Sequence, residues 1–475
     1  MKIAFIIKQL TLAEPVGIMA LSSVLKKAGH RIELFVIKND DVVERIRNFK
    51  PDIVAYSIMT GIHKYYLDYN CSLRKKLKDL KFISVFGGPH ATFFPEIINR
   101  DGVDAVCRGE GEEAFLDFIN RLERNEHYNT LNWWVKKGDQ VIKNKQRPLI
   151  ENLNDLPLID RELIYQKSTF LKNKKIKSFM GSRGCPFNCT YCFNSAYKEL
   201  YAGLGQAIRR RSVDNLLTEI KTIKKKYPME MVWFNEDLFA LDNVWLKEYA
   251  EKYKKEIGLS FCCSVRLNLL DEEIVSLLKE SGCVSVMTAV ETANDYMRNN
   301  VLNRNMSKED MERGLKLLKK YGIKIDVGNI IGLPGETLND MLDTLIFNQK
   351  NGVDYALCSI AQPYPGTKLH EYCLKNNYLA KGVDAIPANF HQETVIKQNI
   401  PLRYLKNLHH LFAMGVNWPF FSKFIPILIK LPLSPVYKII YKLNYGYQVK
   451  TKIFPFKVNA TSIFSWVKNF FNKNE

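Results

Sequence analysis

The spacing of apolar positions divides the chain into two stretches of alternating strands and helices and a third without that rhythm. In the first stretch, residues 1–125, short apolar runs at 3–7, 32–37, 53–58, 82–86 and 103–106 read as strands buried on both faces. Helical periodicity falls between them at 16–27, 41–48, 65–77 and 93–100, and a last helix is predicted over 112–123. This alternation predicts a doubly wound sheet whose ligand lies beyond the carboxyl ends of its strands. Glycines cluster at those ends, as Gly87-Gly88 after the fourth strand and Gly109-Glu110-Gly111 after the fifth. Taken alone, such loops are ordinary strand–helix turns, although glycine also lets a backbone approach a flat ligand closely.

The second stretch, 176–376, repeats strand and helix six times. Its strands are expected at 176–181, 231–235, 259–264, 284–289, 323–330 and 355–361. One following helix carries Val213, Leu216, Leu217, Ile220 and Ile223 on one face behind the capping residue Ser212; others are expected at 271–281, 307–321 and 337–351. Six repeats predict a partial α/β barrel, with the site at the carboxyl ends of the strands. Residues 126–175 form a connection with a small hairpin, its strands flanking Lys136-Lys137-Gly138-Asp139, and carry no evident chemistry.

Composition adds a reducing environment and a strong basic bias. Ten cysteines in 475 residues lack disulfide-scaffold spacing, and the first residues read as a strand rather than a signal peptide. Both features lead us to expect a cytoplasmic protein. The net charge is +19, and residues 401–475 contribute eleven Lys/Arg against one acid. That basic, aromatic-rich region, 377–475, is expected to be mainly helical. It fits two roles: a peripheral contact with the inner face of an anionic membrane, or a cap that packs its aromatics on the barrel and solvates its lysines. Nucleic acid is disfavoured, because no recognised binding module accompanies the charge.

The chemistry concentrates in Gly184-Cys185-Pro186-Phe187-Asn188-Cys189-Thr190-Tyr191-Cys192, directly after the first barrel strand. Three cysteines spaced C-x3-C-x2-C offer three thiolates to one inorganic site, and iron–sulfur clusters take thiolate ligands. A zinc loop would pair two C-x2-C halves, and no second half is visible. Cys262, Cys263, Cys283, Cys358 and Cys373 are expected to be core thiols.

The nine-residue loop resembles the signature of the radical S-adenosylmethionine enzymes, which Phe187 and Tyr191 also match. The resemblance implies a 4Fe–4S cluster on Cys185, Cys189 and Cys192, whose open iron binds S-adenosylmethionine. It also implies reductive cleavage to a 5′-deoxyadenosyl radical and an external electron donor of the flavodoxin or ferredoxin type. By the same resemblance, Glu236 and Asp237 hold the amino group of the cofactor and Glu291 its ribose or amine. The run from Gly328 to Glu336, with Gly332 and Pro334, packs the adenine, and Gln362 to Thr367 border the substrate. Ser264 and Arg266 are candidates for the cofactor carboxylate, which suits the guanidinium fork. The bland alternatives are helix-dipole partners for the two acids and a plain glycine turn for the later run.

Together with the upstream module, the chain resembles the cobalamin-dependent members of that family. The matching positions are Ser57 and Thr60 after the third strand, Gly87 and Gly88, and Gly109, Glu110 and Gly111; His90 either faces the corrin edge or is structural. One departure is plain: the loop 8–17 contains no histidine, so the D-x-H-x-x-G motif is missing. The resemblance then implies cobalamin without a protein histidine on cobalt, or a domain that has lost cobalamin. The activity it implies first is methylation of an unactivated carbon through methylcobalamin and the deoxyadenosyl radical. A cobalamin-dependent cyclisation or rearrangement and a cobalamin- or redox-sensing protein are the alternatives. The substrate class expected is a small molecule or a lipid-linked precursor.

Overall fold

The computed structural model describes residues 1–451 apart from 12, 383, 384, 388–390, 392, 449 and 450. Its first sheet contains β1 (Lys2–Ile7), β2 (Arg31–Val36), β3 (Ile53–Ser57), β4 (Ile83–Gly87), β5 (Ala105–Cys107), β6 (Trp133–Lys137) and β7 (Gln140–Lys143). The order is β2-β1-β3-β4-β5-β6-β7, parallel through β5. Order reverses beside β1, the switch at which open α/β sheets bind ligands. The hairpin of the connection is not a free excursion. Its β6 pairs antiparallel with β5 and extends the sheet, burying Trp133 against Phe115 and Phe118.

The expected helix at 93–100 takes a different form. A short helix, Pro89–Phe93, is followed by a 3₁₀ turn, Pro95–Asn99. Pro95 brings no N–H and pushes Phe94 out of the helical region, to φ −128° and ψ 60°.

The second sheet is all parallel. It holds β8 (Ile176–Phe179), β11 (Met231–Phe234), β12 (Ser260–Ser264), β13 (Cys283–Glu291), β14 (Lys324–Ile331) and β15 (Tyr355–Ile360), ordered in chain sequence from one edge to the other. A two-stranded ribbon of β9 (Ser182–Arg183) and β10 (Arg209–Arg210) brackets the cysteine loop. The helices start where their caps predict. Ser212 accepts the Asn215 N–H, and Ser307 and Thr337 each close a capping box with an aspartate three residues on. Cys262, Cys263, Cys283, Cys358 and Cys373 are all buried among apolar neighbours.

The described part of the C-terminal region is helical. The helix Leu402–Asn417 buries Leu405, Leu408, Leu411 and Phe412 in the main core, and the helix Ser434–Gln448 leans Tyr445 on Tyr355 of β15. The basic aromatic positions Phe456, Lys457, Trp466, Val467 and Lys468 lie outside the described residues. Among those described, no helix is long and apolar enough to cross a membrane.

Candidate active site

The cysteine loop leaves β8 at the carboxyl end of the barrel and is held from every side. Gly184 turns it at φ 88°, where a Cβ would meet the Ala207 carbonyl oxygen at 2.1 Å. Lys198 Nζ donates to the carbonyls of Pro186 and Phe187 at 2.9 and 2.8 Å. Thr190 donates its hydroxyl to Val301 O, its N–H to Leu302 O, and accepts the Leu369 N–H. A loop so tied presents Cys185, Cys189 and Cys192 without further ordering, which lowers the entropic cost of assembling a cluster.

Burial raises the Cys185 thiol above its usual range and pushes Cys192 up to about 11, with Asp237 and the neighbouring cysteines adding to both. Bound iron reverses that preference, because a coordinating thiol loses its proton. Among the described residues no three side chains of His, Cys, Asp or Glu converge on one metal-ion position. A four-iron cluster takes each thiolate on a separate iron, so the donor set of one short loop suits it.

Beside the cysteines lies a buried network that the sequence reveals only in part. The Tyr191 hydroxyl donates to Glu291 Oε1 at 2.6 Å and accepts from Arg304 Nη1 at 2.9 Å. Arg304 also donates to the Ala289 carbonyl. Glu291 sits at φ 63° just after a bulge in β13, which turns its carboxylate inward from the end of the strand. Burial raises the Glu291 carboxyl, and Arg304 and Tyr191 only partly offset it. Arg266 lies 3.7 Å from the centroid of the Phe187 ring, with Nη1 3.8 Å from Cys189 Sγ. Burial and the Arg304 charge make its guanidinium easier to deprotonate than usual. A cationic pair next to the thiolates favours anionic groups there, both the cluster sulfurs and a carboxylate. Arg304 escaped the sequence reading. Its only signal is the Asn303-Arg304-Asn305 triplet, whose asparagines take φ 49° and 48° and aim the arginine between them.

The adjacent acids after β11 part company. Glu236 is buried and accepts the N–H groups of Gly181 and Ser182, bracing the start of the cysteine loop from below. Burial raises its carboxyl to about 7 despite Arg210 and those two donors. Its carboxylate is therefore committed to the backbone, whereas Asp237 is exposed and acts electrostatically on Cys185 and Cys192. Ser264 is half-buried at the end of β12. Gly332 turns at φ 76° against Gln398 and Leu405, opening the Gly332-Leu333-Pro334-Gly335 turn. Glu336 fastens that turn by accepting the Leu333 N–H at 3.0 Å.

At the first sheet, Ser57, Thr60 and Gly87 line the carboxyl ends of β3 and β4. Met59 stands 57% exposed there, an apolar side chain open at a ligand-binding edge. A Cβ on Gly87 would make only ordinary contact, 3.8 Å from Cys107. At Gly88, φ 89°, it would lie 2.8 Å from Ser57 Oγ and 2.9 Å from the Ile58 nitrogen, so this glycine serves the turn itself. His90 is buried, stacked on His63 at 3.9 Å and hydrogen bonded through Nδ1 to Thr60 Oγ1 at 3.0 Å. Burial, reinforced by His63, lowers its pKa to about 3, so the ring stays neutral. The loop without a histidine carries Glu14 instead, which accepts from Arg161 Nη1 at 2.9 Å and from the Tyr165 hydroxyl at 2.6 Å. An edge with one exposed methionine and an unobstructed glycine leaves room for a flat corrin, and no imidazole is available from the loop 8–17.

The two edges meet. Phe93, after the Gly87-Gly88 turn, stacks on Phe193, the residue after Cys192, with ring centroids 4.7 Å apart, and Phe193 touches Tyr364 beyond β15. Tyr201 accepts the Glu110 N–H at 2.9 Å. The Glu110 carboxylate receives Arg183 and both terminal nitrogens of Arg209 at 2.8–2.9 Å, while Arg183 also reaches Glu112 at 2.6 Å. Burial alone would raise Glu110, but the two arginines hold it below the usual carboxylate range. Its side chain thus locks the two modules together. Gly111 packs beside Leu21, and Gly109 leaves no room for a Cβ next to Tyr201.

Comparison with known proteins agrees with this division. The family model described as the radical SAM superfamily matches residues 180–347, and that of the B12 binding domain matches residues 4–119. An uncharacterized methyltransferase of Pyrococcus horikoshii, PH0819, is 30% identical over 379 residues, covering 78% of this chain and 80% of its own. The radical S-adenosylmethionine methyltransferase TsrM from Kitasatospora setae superposes with a TM-score of 0.63 at 14% identity, covering 80% of this chain and 77% of that one. OxsB, solved with aqua-cobalamin and S-adenosylmethionine bound, gives 0.68 at 14% identity over 99% and 74%. At these identities the two structures speak to the fold.

Proposed function

Because this chain belongs to the radical S-adenosylmethionine superfamily, in the branch that carries a B12-binding domain, we propose that it methylates an unactivated carbon of a small-molecule or lipid-linked substrate. Its cofactors are S-adenosylmethionine, a 4Fe–4S cluster and cobalamin. When bound, they supply a hydrogen-abstracting radical and a methyl group to the same carbon, a task that a polar methyl transfer cannot perform at such a centre. The single observation that supports the reading is the Phe93–Phe193 stack, which sets the short helix after β4 against the helix that follows the cysteine loop. A methyl name on the Pyrococcus relative supports it.

The chain's own residues then divide the work. Cys185, Cys189 and Cys192 would hold the cluster, and Arg266 and Arg304 offer positive charge beside it. Glu291, oriented by Tyr191, stands ready for a hydroxyl or amine of S-adenosylmethionine, and Asp237 for its ammonium. Ser57, Thr60 and Gly87 would floor the corrin. Phe93, Phe193 and Tyr364, in ring contact across the junction, would help to keep water from a radical formed there. Electrons come from an external flavodoxin- or ferredoxin-type donor.

The test is product analysis by mass spectrometry after anaerobic reconstitution with iron, sulfide and cobalamin. S-adenosylhomocysteine and 5′-deoxyadenosine should both form, the former only when cobalamin is supplied. Deoxyadenosine without S-adenosylhomocysteine would favour cyclisation or rearrangement. Neither product, from protein with an intact cluster, would contradict both enzymatic readings and leave a sensor.

A further inference from the structure

We propose that the outer face of the C-terminal helices is a docking surface for an anionic lipid bilayer. Nineteen large apolar side chains are exposed among the described residues, and ten of them fall between Trp418 and Tyr447. The helix Ser434–Gln448 shows why this matters. Tyr437, Tyr441 and Tyr445, four residues apart, turn inward: Tyr441 against His409 and His410, Tyr445 against Tyr355. Val436, Ile439, Leu443 and Tyr447 form a second stripe on the opposite side and are 48–63% exposed. A helix that only capped the barrel would carry polar residues there. The preceding turns add Phe420 and Phe424, whose rings touch at 5.2 Å, and Ile427.

Charge selects the occupant. Lys423, Lys430, Lys438 and Lys442 accompany these apolar side chains, and no Asp or Glu occurs between Glu393 and Glu475. Lysines around an apolar face match anionic headgroups over an acyl interior, each contributing about 1 kcal/mol near such a surface. A second copy of the chain would bring lysines against lysines, a like-charge contact that disfavours self-association. Residues 452–475 have four lysines against one acid and would not neutralise the face either. The fifteen-residue helix is about 22 Å long at 1.5 Å per residue, shorter than the hydrocarbon core of about 30 Å, so it lies in the interface instead of crossing it.

The experiment is flotation of the full chain with vesicles of phosphatidylcholine alone or mixed with phosphatidylglycerol, alongside light scattering without lipid. We expect partitioning into the anionic vesicles to exceed that into neutral ones by at least about tenfold, and to fall in high salt. Ile439→Asp combined with Leu443→Asp should abolish flotation while leaving the melting temperature unchanged, since both side chains are already exposed. Lys438→Glu with Lys442→Glu should weaken it without removing the apolar face. Equal partitioning into both vesicle types, or flotation untouched by the aspartates, would overturn the proposal. So would a dimer in lipid-free solution that the aspartates dissolve, which would give the face to a second copy.

Discussion

The Tyr201 hydroxyl accepts the backbone N–H of Glu110, tying the loop after β5 of the first sheet to the helix that follows the cysteine loop. The contact is so close that a Cβ on Gly109 would fall 1.8 Å from that hydroxyl oxygen, with Gly109 itself at φ 81°. Gly109→Ala should therefore loosen the docking of the two modules. We expect the single variant to lose about 2–4 kcal/mol by chemical denaturation, and Gly109→Ala with Tyr201→Ala to show less than the sum of the two single losses. Additive losses would mean that Tyr201 is not what Gly109 accommodates.

Glu291, Tyr191 and Arg304 form one buried unit, so their substitutions should not add. Glu291→Ala leaves Arg304 without its carboxylate and should cost about 3–5 kcal/mol, whereas Glu291→Gln, which keeps an acceptor for Tyr191, should cost less. After reconstitution both should bind S-adenosylmethionine more weakly by titration calorimetry. Unchanged affinity in Glu291→Gln would remove Glu291 from the cofactor's contacts.

Arg161 bridges Glu14 of the first module and Glu219 of the barrel, all three side chains being almost completely buried. Removing the arginine takes from Glu14 its ion-pair partner and leaves Glu219 paired with Arg211 alone. Arg161→Ala should be destabilised by about 3–5 kcal/mol. Adding Glu14→Gln should recover part of the loss, as read from denaturation midpoints, because Glu219 keeps Arg211.

The Glu336 carboxyl is raised to about 8 from an ordinary value of 4.5, chiefly by burial, which its backbone donors Leu333 and Gly332 only partly counter. In the native state it holds its proton across the window from 4.5 to about 8, whereas the unfolded chain has released it. The native state thus binds more protons there, and this group's contribution to stability falls as pH rises through the window. Glu336→Gln should flatten that part of the stability–pH curve between pH 5 and 8. A variant with the same slope as the parent would contradict the assignment.

Most of the scaffold was legible because α/β folding writes local signals: buried apolar runs, helical faces, and caps such as Ser212, Ser307 and Thr337. What escaped depends on partners distant in the chain. Nothing in Trp133 to Lys143 says that the hairpin will seek the edge of β5. The run Arg209-Arg210-Arg211 reads as one basic patch, yet its members diverge to Glu110, Glu236 and Glu219. Likewise Glu236 and Asp237 look equivalent as neighbours in sequence. A strand end points them apart, one beneath the cysteine loop and one toward solvent. Glu110 follows a glycine at a ligand-binding edge, but its side chain serves the junction between modules.

That the two cofactors share one space is tested most directly by electron paramagnetic resonance of reconstituted protein holding both cob(II)alamin and the reduced cluster. We expect the cob(II)alamin signal to be broadened and to relax faster than in a variant with Cys185, Cys189 and Cys192 all changed to alanine. Identical line shape and relaxation in the two proteins, with cobalamin bound to both, would place the centres too far apart and contradict the account.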